Sequence, residues 1–354
     1  MSDPLPEAVI ASPKPYYREL KANRPIAWCR CGRSKRQPFC DGRSHEGTGF
    51  EPLVYRPRAD EEVLLCGCKR TGTPPFCDGT HNNLPGGYST DLRSDEERGA
   101  LRRSATDADG VARLDGRCYV ASPARMAGGR GEHSHIWKII GRSLGAEHQA
   151  LFLVELESGS SPAFSAGSAD VVLFLAQGSG SITISGRDFA VREGDGLHVR
   201  PSEWFRVASP VGCRLFVSTL PGVEELEQVT APTTGFDARF PNRLVSVDET
   251  MRSEMGPRYF QVLVDKALGL EGAAQFIGHI PQSRAEMHRH LYEEALIVLS
   301  GEGILWNEES CTDVAAGDVI FLPRKHAHSL ECTGAGGMDV VGVIYPGDNP
   351  SINY

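Results

Sequence analysis

His288 and His290 stand two residues apart, Glu294 follows four after His290, and His328 comes after a later apolar run. Residues two apart on a strand share a face, so the first two imidazoles point together. Three neutral imidazoles and one carboxylate suit a borderline divalent metal and leave coordination positions open. Donor type alone admits Fe(II), Mn(II), Ni(II), Co(II), Cu(II) or Zn(II). Tyr292, Arg284, Trp306, Lys325, Phe276, Phe321 and Arg324 are candidates for the wall of an adjoining pocket. His326 shares a strand face with His328 and is a candidate alternative ligand or support for the ligands. The plain alternative is a metal-free barrel whose histidines are satisfied by hydrogen bonds.

A second donor set lies near the other end. Cys29-x-Cys31 is followed nine residues later by Cys40, and Cys66-x-Cys68 likewise by Cys77. In both, a hydroxyl residue (Ser34, Thr71) stands three after the second cysteine and a proline (Pro38, Pro75) two before the third. An Asp-Gly turn then leads to His45 or His81. Each set offers three thiolates and one imidazole, which zinc or an iron–sulfur cluster accepts equally well on spacing alone. Six of the ten cysteines belong to these sets, and regular spacing in a cytosolic chain indicates ligation rather than disulfides. Cys118, Cys213, Cys311 and Cys332 are scattered and read as small buried apolar groups.

Both N-terminal segments, over roughly residues 15–85, resemble the CDGSH iron–sulfur (mitoNEET-like) family in its tandem-motif form. The resemblance implies two [2Fe-2S] clusters, one on Cys29, Cys31, Cys40 and His45, the other on Cys66, Cys68, Cys77 and His81. The first motif departs from the pattern. His45 stands five after Cys40, whereas His81 stands four after Cys77, so the first turn must bulge. A neutral imidazole in place of a thiolate makes a cluster less negative and raises its potential. The C-terminal donors resemble the cupin superfamily. His288, His290, Glu294 and Gly301 meet its first motif, and Gly317, Pro323 and His328 its second, with Lys325 at an inner glycine position and Gln282 where another glycine is expected.

These donors need a framework. From about residue 136, short apolar runs alternate with Gly, Ser, Asp and Pro at regular spacing, the pattern of a β-sandwich or barrel. Phe174–Gly180 mirrors Val298–Gly303, and Gly194–Pro201 mirrors Gly317–Pro323. Two copies of one barrel follow. Ser165, Gly167, Val171 and about Arg206 stand where the second copy carries its four ligands, so the first copy is expected to bind no metal there. The expected fold is mainly β: a small tandem CDGSH domain (1–90), a linker (91–114), a degenerate cupin barrel (115–222) and a metal-binding cupin barrel (223–354). A length of 354 residues fits two or three domains. His133-x-His135, next to Ala127-Gly-Gly-Arg-Gly, reads as a loop or surface pair, with metal binding the lesser alternative.

The net charge is −9, with residues 1–91 at +2 and the rest at −11, so nucleic acid is not an expected partner. No signal peptide or spanning segment is legible, and a cytoplasmic location is expected. The combination points to a non-haem iron oxygenase or oxidase acting on a small molecule. Fe(II) at His288, His290, Glu294 and His328 would use O2, and the clusters would supply electrons drawn from a ferredoxin, a flavodoxin or an NAD(P)H reductase. A homo-oligomer would be one way to bring a cluster beside the iron. The alternatives are a donor-independent bicupin dioxygenase with regulatory clusters, and an iron or redox sensor or cluster-transfer protein.

Overall fold

The computed structural model describes residues 7–84, 91–127, 134–230 and 235–354; His133 lies outside them. The N-terminal module is built on two antiparallel strand pairs, Tyr16–Leu20 with Glu61–Leu65 and Ile26–Trp28 with Leu53–Tyr55. Strands Ile26–Trp28 and Glu61–Leu65 each run directly into a Cys-x-Cys, so the repeat is one strand-plus-loop unit used twice. The signature hydroxyls explain themselves: Ser34 Oγ donates to the Phe39 carbonyl (2.6 Å) and Thr71 Oγ1 to the Phe76 carbonyl (2.7 Å). The signature aspartates do likewise, Asp41 accepting from the Lys35 amide (3.0 Å) and Asp78 from the Gly72 amide (2.7 Å). Each loop is thereby cross-braced by its own side chains.

The rest is two β-barrels packed on each other. The first is one 11-stranded sheet, the second an 8-stranded and a 5-stranded sheet. Alternation along the strands explains why they read as unbroken apolar runs. In Ala150–Leu156, Phe152 and Val154 point into the first barrel while Leu151 and Leu153 point out of it. In Glu293–Ser300, Leu296 and Val298 point into the second barrel while Ala295 and Ile297 meet those outward residues in a third, inter-barrel core. Both faces are dry, so neither face carries a polar alternation.

The barrels exchange flanking strands. Tyr119–Ala121 pairs with Val319–Phe321 in the second barrel, and Arg102–Arg103 runs parallel to Ser310–Cys311 there. In return Leu244–Val245 pairs with Gly196–Leu197 in the first barrel. Residues 91–114 are therefore not a simple linker, and the expected boundaries at 115 and 223 cut through hydrogen-bonded sheets. A short helix, Asp95–Ala100, carries a capping box between Ser94 and Glu97, and its Arg98 reaches the buried Glu331 at 2.9 Å.

Candidate metal centre and cluster cradles

Strand Glu293–Ser300 carries Glu294 at its start, in register with Leu322 on the neighbouring strand. His288, ahead of that strand, and His328, just before strand Ser329–Cys332, form a backbone bridge with reciprocal N–H···O bonds of 3.0 Å. The glycine that turns the chain afterwards, Gly301, has φ +84°, and a Cβ there would lie 2.3 Å from the Gly337 carbonyl oxygen, so no other residue fits. One donor atom each from His290, Glu294 and His328 lies within 4.8 Å of the others, all three side chains being buried. His288 is not one of these three; its ring stands 4.4 Å from that of His328 and lines the same chamber, where it would be a fourth ligand from the rim.

The imidazole tautomers follow from their partners. Nδ1 of His288 faces the Glu286 carbonyl (2.8 Å), Nδ1 of His290 the Tyr292 carbonyl (2.7 Å), and Nδ1 of His328 the His326 carbonyl (2.9 Å). A carbonyl only accepts, so each Nδ1 carries the hydrogen and each Nε2 keeps its lone pair. Burial pushes His288 down to about 3 and His328 well below the usual imidazole range, which keeps both neutral. His290 Nε2 is fully buried and meets only Glu294, at 3.1 Å. A divalent cation is the group that such a set of oriented lone pairs and one carboxylate fits.

The chamber beside this centre differs from the wall expected from sequence. Tyr292 and Phe276 line it. Arg284 instead pairs with Glu97 (3.4 Å) outside it. Trp306 is wholly buried elsewhere, donating to Glu331 (3.0 Å) beneath the Arg93 guanidinium. Phe321 faces the inter-barrel core. Lys325 and Arg324 both bond Glu62 of the N-terminal module, because the chain reverses at Lys325 with φ +61° and aims them outward. His326 bonds Asp115 at 2.6 Å and supports His328 only through its carbonyl. The wall residues missed in the sequence are Arg258, Tyr259, Phe260, His279 and Asn353. They come from a strand pair and from segment 346–354, neither of which carries a motif.

In the first barrel the register places Val171 against Val199 as Glu294 stands against Leu322. Nearby His198 is wholly buried, with Nε2 on Asp170 (2.8 Å) and Nδ1 on the Leu268 carbonyl (3.0 Å), so both its nitrogens are engaged within the fold.

The cysteine sets form two cradles of matching geometry. Sγ of Cys29 and Cys31 are 3.6 Å apart, those of Cys66 and Cys68 3.5 Å. Nδ1 of His45 lies 3.4 Å from Cys40 Sγ, and Nδ1 of His81 3.3 Å from Cys77 Sγ. The extra residue before His45 is absorbed by Asp41, which accepts from the amides of Arg43 (3.1 Å) and Ser44 (2.9 Å). All ten cysteines are unpaired thiols. A Cys–Cys pair facing a Cys–His pair is the donor set of a two-iron cluster with one histidine-bound iron. Between the cradles lies Lys69, buried, its Nζ 3.0 Å from the Cys66 carbonyl and 4.6 Å from the Trp28 ring centre.

The two sites are joined by segment 346–354. On the cradle side Asn82 donates to the Ser351 carbonyl (2.7 Å), Asn349 donates to the Asp78 carbonyl (3.1 Å), and Gly79 approaches so closely that a Cβ would lie 2.0 Å from Ser351 Oγ. On the metal side Tyr354 and Arg289, the residue between the two histidines, exchange backbone hydrogen bonds of 2.9 Å, and Tyr292 donates to the Pro350 carbonyl (3.1 Å). Asn353 lines the chamber and interacts with the His81 side chain, whose pKa burial lowers.

Comparison with known proteins agrees with this division. Residues 9–46 match the family model for the iron-binding zinc finger of CDGSH type, and residues 279–344 match the cupin domain. Human mitochondrial CDGSH iron-sulfur domain-containing protein 3 is 49% identical over 51 residues, 14% of this chain and 39% of that protein. The mouse protein is 50% identical over 50 residues, 14% and 36% respectively. The match thus spans well under half of these relatives. Among solved structures, Ylba from E. coli covers 72% of this chain and 99% of its own, with 17% identity and a TM-score of 0.51. A mutant of Bacillus subtilis oxalate decarboxylase OxdC covers 75% and 86%, with 14% identity and a TM-score of 0.55. At such identities the likeness speaks for the fold. No helix among the described residues is long and apolar enough to cross a membrane. The chain carries a CDGSH-type iron–sulfur segment ahead of two β-barrels of the cupin fold.

Proposed function

We propose that the protein is a non-haem iron oxygenase or oxidase for a small molecule, with the cupin centre supplied with electrons from the N-terminal cradles. One observation supports this reading most: segment 346–354 touches the residues around Cys77 and His81 on one side and the residue between His288 and His290 on the other. Iron in the four-ligand centre would supply the chemistry that puts one atom of O2 into a substrate, and [2Fe-2S] clusters the two electrons that, with two protons, take the other atom to water. The chain's own residues hold and shield. Backbone carbonyls fix three imidazoles with Nε2 inward, Glu294 contributes the negative charge, and Phe260, Phe276 and Leu322 give the chamber apolar walls. A single chain provides the juxtaposition, so no oligomer is required for it.

The test is cluster reoxidation. Protein loaded with iron is reduced anaerobically and mixed with oxygenated buffer while the cluster absorbance is followed. Reoxidation at least tenfold faster in the wild type than in Glu294→Gln and His328→Ala, with clusters retained in both, is the expected result. Equal rates would overturn electron supply. Full turnover in Cys77→Ser with added Fe(II) would instead identify a donor-independent dioxygenase.

A further inference from the structure

We propose that the first cradle loop, residues 29–45, is the docking face for a small acidic one-electron carrier protein, with Arg30, Arg33, Lys35, Arg36 and Arg43 as its contacts. This deepens the function proposed above and rests on it for electrons entering through the cradles.

The two repeats share their ligands but not their surroundings. In the second cradle Gly79 is covered by segment 346–354, where a Cβ would lie 2.0 Å from Ser351 Oγ. Its counterpart Gly42 donates its amide to Cys40 Sγ (3.3 Å), is exposed, and a Cβ there would meet no described atom within 4 Å. Cys40 is half-buried and the His45 side chain 19% exposed, whereas Cys77 and His81 are buried. The charges differ in the same sense. Arg30, Arg33, Lys35, Arg36 and Arg43 stand where the second repeat has Gly67, Arg70, Gly72, Thr73 and Thr80. All five are exposed, and among the described residues none is in an ion pair, whereas Arg70 is tied to Glu7 at 2.6 Å. Their backbone touches the thiols: the Arg33 amide donates to Cys31 Sγ (3.4 Å), and the Ser44 carbonyl beside Arg43 lies 3.8 Å from the same sulfur. Asp41 is spent on amides of its own loop, and Glu51 stands at one side, 3.8 Å from His45 Nε2. A surplus of positive charge therefore surrounds the more open cradle. Beyond residue 91 the chain carries −11, which repels an acidic carrier from the barrels and steers it to this face. The exchange is one electron: the reduced carrier leaves oxidised, and the cluster held by Cys29, Cys31, Cys40 and His45 goes from its diferric to its mixed-valence state, with no bond made or broken.

The probe is flavodoxin, an acidic flavin carrier whose one-electron states absorb apart from iron–sulfur clusters, with cytochrome c as the basic control. Both are titrated by calorimetry into the full chain carrying its clusters, and anaerobic stopped-flow absorbance follows reduction by reduced flavodoxin. Flavodoxin should bind and cytochrome c should not. Reduction should slow at least roughly tenfold between about 50 and about 300 mM salt, and as much when Lys35→Gln, Arg36→Gln and Arg43→Gln are combined. Reduction by photoreduced deazariboflavin, which is uncharged, should change in neither case. Rates indifferent to salt and to the substitutions would overturn the proposal, as would cytochrome c or duplex RNA binding more tightly than flavodoxin. Self-association of the chain at low salt, abolished by the same substitutions, would give the face to a second copy instead. If the combined variant loses its clusters, Lys35→Gln with Arg36→Gln and the wild-type salt dependence decide. The failures are separable: salt-sensitive flavodoxin reduction with equal reoxidation rates in wild type and Glu294→Gln would sink only the oxygenase reading, and the reverse only this one.

Discussion

At the scale of single residues, orientation decides more than donor identity. His288, His290 and His328 are usable ligands because each Nδ1 is tied to a carbonyl, whereas His198 and His326 spend ring nitrogens on Asp170 and Asp115. Replacing His290 by Ala should abolish Mn(II) binding at the cupin centre while leaving the cluster spectrum unchanged, as EPR of the two signals would show. Lys69 is the residue-scale test of the cradles. It is buried close to the thiols of both sets, and burial lowers its pKa against the pull of the Cys29 and Cys66 charges. Removing that positive charge in Lys69→Met should favour the oxidised clusters and lower their potentials, where about 60 mV is a tenfold change in a one-electron equilibrium. An EPR-monitored redox titration showing no downward shift would refute a tuning role.

At the scale of elements, segment 346–354 has the widest consequences. It carries no motif and no periodicity, yet it binds Asp78 and Asn82 on one flank and Arg289 and Tyr292 on the other. Asn82→Ala removes a bond to the Ser351 carbonyl that is buried with it, at a cost of about 1–3 kcal/mol locally. Hydrogen exchange at the Tyr354 and Arg289 amides should accelerate roughly tenfold or more in that variant, while the barrel strands stay protected. Unchanged exchange at both amides would show that the segment is held by its metal-side contacts alone.

At the scale of the whole molecule, the two barrels should unfold together. Their shared core contains Tyr119, Phe174, Phe216 and Phe321, and each barrel lends the other a strand. Phe321→Ala should destabilise by about 3–5 kcal/mol, as for a large buried aromatic. Calorimetry should show one barrel transition moving to lower temperature, not two separating. The N-terminal module is attached by fewer bonds, among them Glu62 with Arg324 (3.1 Å), Lys14 with Glu286 (3.3 Å) and the Tyr17–Tyr354 stack (5.7 Å).

The sequence by itself determined the donor sets and the duplicated β-pattern, because ligand spacing and strand alternation are local and survive in one dimension. It marked even the cross-bracing hydroxyls of the cradles, since each repeat closes on itself within a few residues. It did not reveal the chamber wall, where Arg258 and Asn353 replace the expected Arg284, Trp306 and Lys325. Nor did it show that residues 102–121 complete the second barrel rather than the first. Those outcomes belonged to the tertiary structure. A side chain's neighbours across a barrel, and the partner a flanking strand pairs with, depend on which distant surfaces become dry together. No spacing along the chain records that.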